Sequence, residues 1–286
     1  GSWRLRLSEV PVVTGAVRPD RLLAAETPER LELLGIVAEP TLHPTTGRAA
    51  ALVRPEDRAA LDRAHVPSWD AAGVVALAAG AALRRYAHEL IGIQEAQVLL
   101  SGLERTHPAL VLEVVPKLVS PQLFADVLRR LVEEQVSIRD LRAILGALAE
   151  WGRAEKDPVL LTEYVRLALR RQLTFQHTRG ARSLPVLLID PLIEEAVRGA
   201  ITKTQTGSYL ALEPALSGDI LAAVRRSLAD GAGARRPPVL LTSMEIRRFV
   251  KRLVEIEHPD VAVLSFQELA PDVNVQPIGK IAIGPQ

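Results

Sequence analysis

Six histidines (His43, His65, His88, His107, His177 and His258) and two adjacent carboxylate pairs (Glu133-Glu134 and Glu194-Glu195) are the groups in this chain best suited to metal or acid–base chemistry. A local zinc or iron motif needs imidazoles spaced to share one face, as in HExxH on a helix. No two histidines here have that spacing. His107-Pro108 and His258-Pro259 suit helix ends, where an imidazolium meets the carbonyl dipole. The carboxylate pairs fall within helical patterns, and adjacent residues point about 100° apart on a helix, so each pair reads as part of a solvated face. The sequence contains no GxxxxGK[ST], GxGxxG or GxSxG, the motifs that cradle phosphates or expose a nucleophilic serine. Gly231-Ala-Gly-Ala-Arg235 reads only as a loop. No catalytic residue, metal site or cofactor is therefore expected. The alternative, a soluble α/β enzyme, would have to assemble its site from Asp190, Tyr209 and Glu268 near strand ends.

Composition narrows the classes further. The 286 residues suit about two domains, and 48% hydrophobic residues can supply packed cores. Lys and Arg number 35 against 34 Asp and Glu, so no global field draws the chain to nucleic acid. The doublets Arg129-Arg130, Arg170-Arg171, Arg225-Arg226, Arg235-Arg236, Arg247-Arg248 and Lys251-Arg252 read as solvated helix faces, and aromatics for base stacking are scarce at 3%. The absence of cysteine excludes disulfides, thiolate metal sites and cysteine nucleophiles. Ala71 to Leu83 is the most apolar stretch, shorter than the roughly 20 residues that span a bilayer. Gly1-Ser2 reads as a cloning remnant, so a piece of a longer protein is expected.

The elements that would position any site follow from periodicity. Residues 1–95 mix strand and helix signals: Trp3 to Leu7 alternates apolar and basic side chains, as a half-buried strand does. Prolines 28, 40, 44 and 55 break 19–67 into a small inserted subdomain, and Asp70 opens an Ala-rich helix reaching about Leu90. Residues 96–180 read as all helix. Leu123, Phe124, Val127, Leu128 and Leu131 form one buried face, and Ile138, Leu141, Ile144, Leu145 and Leu148 form another, in a helix running from Ser137 to Trp151 that Ser137 and Asp140 can cap. Asp157-Pro158 starts a third helix with Leu161, Tyr164, Val165 and Ala168 inward. From 181 to 286, apolar runs at 185–189, 209–212 and 238–241 alternate with amphipathic helices, the rhythm of a mostly parallel α/β sheet. Thr242 and Glu245 suit a capping box. The helix that follows turns Ile246, Phe249, Val250 and Leu253 to the sheet and Arg247, Arg248, Lys251 and Arg252 outward, and Val261 to Phe266 returns as a strand beside 239–241.

Four blocks in order carry a resemblance: ALRRYAHELIGIQEAQVLL (82–100), SIRDLRAILGALAEW (137–151), KDPVLLTEYVRLALRR (156–171) and VLSFQELAPDVNVQPIGKI (263–281). They closely resemble the cytoplasmic domain of the large export-gate protein of bacterial type III secretion, the FlhA/SctV family, over about 82–286. The match is thinner before residue 82. The wording of the last block resembles the injectisome branch; a flagellar homologue is the alternative within the family. The resemblance implies a non-enzymatic, nonameric ring subunit on the cytoplasmic face of the inner membrane, tethered by helices outside this chain. Such a subunit would receive chaperone–substrate complexes and pass substrates to the channel alongside other components of the export apparatus. It further implies that the chain begins inside the family's first subdomain. Arg139, Asp140 and Arg142 are the expected ring contacts, and Leu52, Leu77, Arg248 and Lys251 the expected partner surface. Leu77-Ala78 stands where the family usually carries Thr-His, which implies an altered partner or binding mode.

Overall fold

The structure, a computed structural model, describes residues 1–204, 207–230 and 238–284. The Gly231–Arg235 loop and the Arg235-Arg236 doublet lie outside the described residues. The chain divides into two compact units, Gly1–Leu90 and Ile91–Gln286, and the segments 96–180 and 181–286 both fall in the second.

In the first unit, β1 (Ser2–Leu7) and β2 (Val10–Ala16) form an antiparallel hairpin. It turns at Ser8 and Glu9, both at positive φ, as a tight two-residue turn requires. Trp3, Leu5 and Leu7 are half-buried and Arg4 and Arg6 exposed, the expected alternation. Gly15 lies opposite Trp3, and a Cβ there would come within 2.7 Å of the indole. Next come β3 (Leu22–Ala24), α1 (Pro28–Glu32), β4 (Glu39–Leu42), β5 (Ala49–Val53), α2 (Arg58–Arg63), β6 (Ser68–Trp69) and α3 (Ala71–Tyr86). The strands make an antiparallel sheet ordered β4-β5-β3-β6 over a small core of Leu22, Leu31, Ile36, Val53 and Leu61. Pro28 and Pro55 each sit at the start of a helical turn, where a missing N–H is tolerated. Asp70 Oδ1 accepts the Gly73 N–H at 2.8 Å and starts α3.

The second unit opens with helices α4 (Ile93–Glu104), α5 (Pro108–Val114), α6 (Pro121–Glu133), α7 (Leu141–Trp151), α8 (Pro158–Ala168) and α9 (Arg170–Thr178). Phe124, Leu128, Leu131, Ile144, Leu145, Leu148 and Leu161 are fully buried among them. Ser120 and Asp157 cap helices that begin with proline, accepting from the Leu123 and Val159 N–H groups. α7 begins at Leu141, four residues later than expected. Asp140 alone caps it, accepting the Ala143 N–H at 3.0 Å, while Ser137 accepts the Arg139 N–H in the preceding loop. The inward face of α8 is wider than its apolar pattern: Glu163 and Arg166 are buried, and Ala168 is exposed.

The chain continues through β7 (Ser183–Ile189), α10 (Pro191–Gly199), β8 (Ile201–Thr204), β9 (Gly207–Leu210), α11 (Pro214–Asp230), β10 (Val239–Thr242), α12 (Met244–Val254), β11 (Val263–Ser265) and β12 (Asn274–Ile281). Four of these strands form a parallel sheet ordered β11-β10-β7-β12. Its central strands are apolar on both faces, as buried parallel strands are. Leu187, Leu240 and Val263 meet Ile193, Val224, Ile246 and Phe249 on one side, and Val186, Leu241 and Leu264 cluster on the other. The expected strand at 209–212 is no member of this sheet. β9 pairs antiparallel with β8 as a separate hairpin, because β8 precedes it immediately and leaves no room for a crossover. On edge strand β12, Pro277 is followed by a register shift against β7, where a Cβ on Gly279 would meet Leu187 at 2.9 Å. The fold is thus an α+β N-terminal part, a central helical part and a C-terminal α/β sheet. Among the described residues no helix is long and apolar enough to cross a membrane.

Phe249 is 5% exposed between α12 and the sheet. Phe249→Ala should destabilise the second unit by about 3–5 kcal/mol, read from the urea midpoint at unchanged slope.

Candidate functional site

α12 anchors the sheet through Ile246, Phe249, Val250 and Leu253, as its periodicity requires, but its basic side is not outward. Arg247 is fully buried, Lys251 is 8% exposed and Arg248 is half-buried; of the four cations only Arg252 is exposed. The helix packs on two sides, and Arg247, Lys251 and Val254 make a second inward stripe one turn apart.

That stripe meets the helical part of the unit. Arg247 donates from Nη1 and Nη2 to the two carboxylate oxygens of Glu134, at 2.6 and 3.0 Å. Its Nε donates to Glu163 at 2.7 Å, and Nη2 also bonds Glu163. Arg166, 2% exposed, donates to Glu134 at 3.1 Å and from Nε to Glu268. The remaining Glu268 oxygen accepts the Ser265 N–H and hydroxyl at 2.6 and 3.0 Å. A chain of charges, Glu163–Arg247–Glu134–Arg166–Glu268, therefore joins the C-cap of α6, α8, α12 and the turn after β11. Lys251 adds a third cation, donating to the Pro259 and Val261 carbonyls, so three cations face three carboxylates.

The electrostatics follow from burial and pairing. Burial alone would raise the Glu134 carboxyl, but the Arg247 and Arg166 guanidiniums outweigh it and hold its pKa at about 2. Burial opposes the Arg247 charge, yet Glu134 and Glu163 push its pKa well above the ordinary arginine value. Burial lowers Lys251 despite nearby Glu134. Beside the network is a cavity of about 60 Å³ lined in part by Glu133, Glu134, Arg166, His177, Lys251 and Asp260. Burial, and then Arg166, lower His177 to about 4. Every carboxylate of the chain of charges is committed to a guanidinium, and the arrangement acts as a clamp between helices and sheet. Among the described residues no group of three or more side chains could hold a metal.

The remaining residues singled out in the sequence fall in several places. Glu134 and Glu194 are not solvated faces. Glu194 accepts the Thr242 hydroxyl at 2.7 Å and the Ser243 N–H at 2.9 Å, and so supplies from α10 the cap expected of a Thr242–Glu245 box. Ser243 is the N-cap residue, and Glu245 pairs with Arg198. Asp190 caps α10 and pairs with Lys280, Tyr209 is exposed on β9, and Glu268 belongs to the clamp. Among the described residues no hydrogen bond or ion pair joins any two of these three. Arg139, Asp140 and Arg142 are exposed at the start of α7, and neither arginine has an ion-pair partner among the described residues. Leu52 in β5 and Leu77 in α3 are half-buried in the first unit. Arg248 lies with its guanidinium 4.7 Å from the Phe249 ring centroid. Lys251 is withdrawn from the partner surface, because it is buried and donates to two backbone carbonyls. The clamp itself escaped the sequence reading. Its one local signal is Glu163 and Arg166, three apart among the apolar residues of α8.

The sequence profile of the FHIPEP family matches residues 1–274. The Low calcium response locus protein D of Yersinia pestis is 39% identical over 283 residues, covering 99% of this chain and 40% of that protein. The chain thus spans about two-fifths of the length of that relative. CdsV in the structure of the Chlamydia pneumoniae CdsV and CdsO protein complex is 39% identical with a TM-score of 0.91, covering 98% of this chain and 80% of that one. Nonameric EPEC SctV-C, solved by cryo-electron microscopy, is 29% identical with a TM-score of 0.81, covering 98% and 83%.

Arg247→Met leaves Glu134 and Glu163 without their main counter-charge, and should lower unfolding free energy by about 3–5 kcal/mol at pH 7, measured in urea. The clamp also sets a pH dependence. His177 is shifted from 6.5 down to about 4 in the folded state, so its contribution is complete above about pH 6.5 and is lost as pH falls toward 4. Glu134 is shifted from 4.5 down to about 2, and its contribution is lost between those values. Stability should therefore decline in two stages on acidification, and His177→Gln should flatten only the upper stage.

Proposed function

The chain belongs to the FHIPEP family, and from that premise we propose that it is the ring-forming cytoplasmic part of a type III secretion export gate of the injectisome branch. It docks chaperone–substrate complexes and passes the substrates toward an export channel. The observation that carries the reading is the likeness to nonameric EPEC SctV-C over 98% of this chain. The likeness to CdsV in complex with CdsO supports a surface that also receives other parts of the apparatus. The work is differential binding and involves no bond making: a partner that prefers one arrangement of the ring shifts its population. The charge clamp suits this role because it holds the helical and α/β parts of each subunit in one register while surfaces elsewhere exchange partners. Tethering at the inner membrane comes from the longer protein.

The proposed ring contact lies at the start of α7, where Arg139 and Arg142 project without carboxylate partners among the described residues. Exposed ion pairs contribute below about 1 kcal/mol each and are screened by salt. A closed ring repeats the contact at every interface, so a small change per subunit decides closure. Asp140 is excluded from the test because removing a cap costs about 1 kcal/mol by itself. Arg139→Glu with Arg142→Glu in the full-length protein should abolish ring particles in electron micrographs, while the same double change in this chain leaves its circular dichroism melt unchanged. Normal rings in the double variant would remove this face from the interface.

A further inference from the structure

From residue 164 to 189 the chain carries five arginines, one histidine and no carboxylate. One of the five, Arg166, belongs to the clamp. The other four, Arg170, Arg171, Arg179 and Arg182, are exposed on and just after α9. None of them has an ion-pair partner among the described residues. Elsewhere some arginines, such as Arg18, Arg198 and Arg225, face carboxylates across the surface, and others, such as Arg139 and Arg142, have none among the described residues.

Arg171 and Phe175, four apart, share one side of α9, and Arg179 follows at the end of the helix. Phe175 is 66% exposed. Arg179 closes the helix in the left-handed region at φ 50°. A Cβ on Gly180 would come within 3.8 Å of the Phe175 ring. The other side of the helix is fixed. Leu173 is in the core, Gln172 and Gln176 donate to the Ser137 and Gln135 carbonyls, and Thr174 Oγ1 accepts the Ala270 N–H at 2.8 Å. The cavity carboxylates Glu133 and Asp260 lie on the side of Gln176 and His177.

We propose that the Arg171–Phe175–Arg179 face of α9 is a docking site for a short acidic protein segment that sets one apolar side chain on Phe175. Charge complementarity carries the choice of occupant, since Arg171 lies one turn from the exposed Phe175 ring and Arg170, Arg179 and Arg182, exposed on the same short segment, also lack an ion-pair partner among the described residues. The face is about 12 Å long at 1.5 Å per residue, the footprint of a two-turn segment. An extended polyanion would run on to the rest of a chain whose net charge is only +1. A lipid surface would need a broader basic and apolar area than one ring supplies.

Fluorescence anisotropy with labelled random Glu,Tyr (4:1) copolymer, poly-glutamate and heparin tests this on the whole chain. The copolymer should bind about fivefold tighter than poly-glutamate, for partial burial of one aromatic contact. Arg171→Glu with Arg179→Asn, the asparagine chosen because it tolerates the left-handed region, should weaken copolymer binding about tenfold. Phe175→Ser should erase the preference for the copolymer and leave poly-glutamate binding unchanged. Each variant is first matched to the wild-type melt; if the double variant melts early, Arg171→Gln alone replaces it, with a smaller loss expected. Copolymer binding that is unaffected by the arginine changes, or heparin binding tighter than the copolymer, overturns the proposal. So does wild-type self-association in sedimentation that the same changes abolish, which would make the face a contact between copies.

Discussion

A guanidinium moved from water into an apolar interior carries a penalty of several kcal/mol, and only close opposite charge with saturated hydrogen bonding offsets it. Arg247 and Arg166 meet that condition through Glu163, Glu134 and Glu268, carboxylates that come from three different parts of the chain. The rest of the second unit depends on this arrangement. An apolar seam of equal volume could hold helices against sheet with similar free energy, but it would tolerate sliding by part of a turn. A forked guanidinium that bonds both oxygens of Glu134 tolerates little displacement, because its donors have fixed directions. The helical and α/β parts are therefore joined in one register.

The same arrangement explains which features were legible in the sequence. α6 and α7 were readable because each shows its buried face as a local period, β7, β10 and β11 because each is a short apolar run, and Asp140 and Asp157 mark helix starts by type and position. α12 was only half readable. Its apolar stripe was correctly turned to the sheet, but Arg247 and Lys251 were read as solvated because the default for a basic helix face is water. The partners of Arg247 lie 84 to 113 residues away, and no window of sequence joins it to Glu163 or Glu134. The cap of α12 failed for the same reason, since Glu194 reaches it from α10. The hairpin of β8 and β9 was missed because a short apolar run looks alike in a buried sheet and in a surface ribbon. The family, by contrast, was legible from four short blocks, two of which contain clamp residues: Glu163 and Arg166 in one, Glu268 in another.

Seen together, the charged residues divide into two populations with different physics. Those in the clamp are desolvated, held by geometry and nearly insensitive to salt. Those at the start of α7 and along α9 are hydrated and screened within about 10 Å at ordinary ionic strength. A subunit built this way keeps its internal shape over a wide range of salt while its outer contacts respond to it.

The register shift at Pro277 and Gly279 has a separate consequence for how copies of this chain can coexist. β12 is an edge strand, and a straight, regular edge offers an unpaired row of amides to any other edge it meets. Proline removes one donor from that row, and the irregularity beside it bends the strand out of the plane a second sheet would need. Crowded side by side, copies of this chain find no clean edge to zip along β12. Association along that edge is left to side chains, which separate again, and is kept from backbone ladders, which do not.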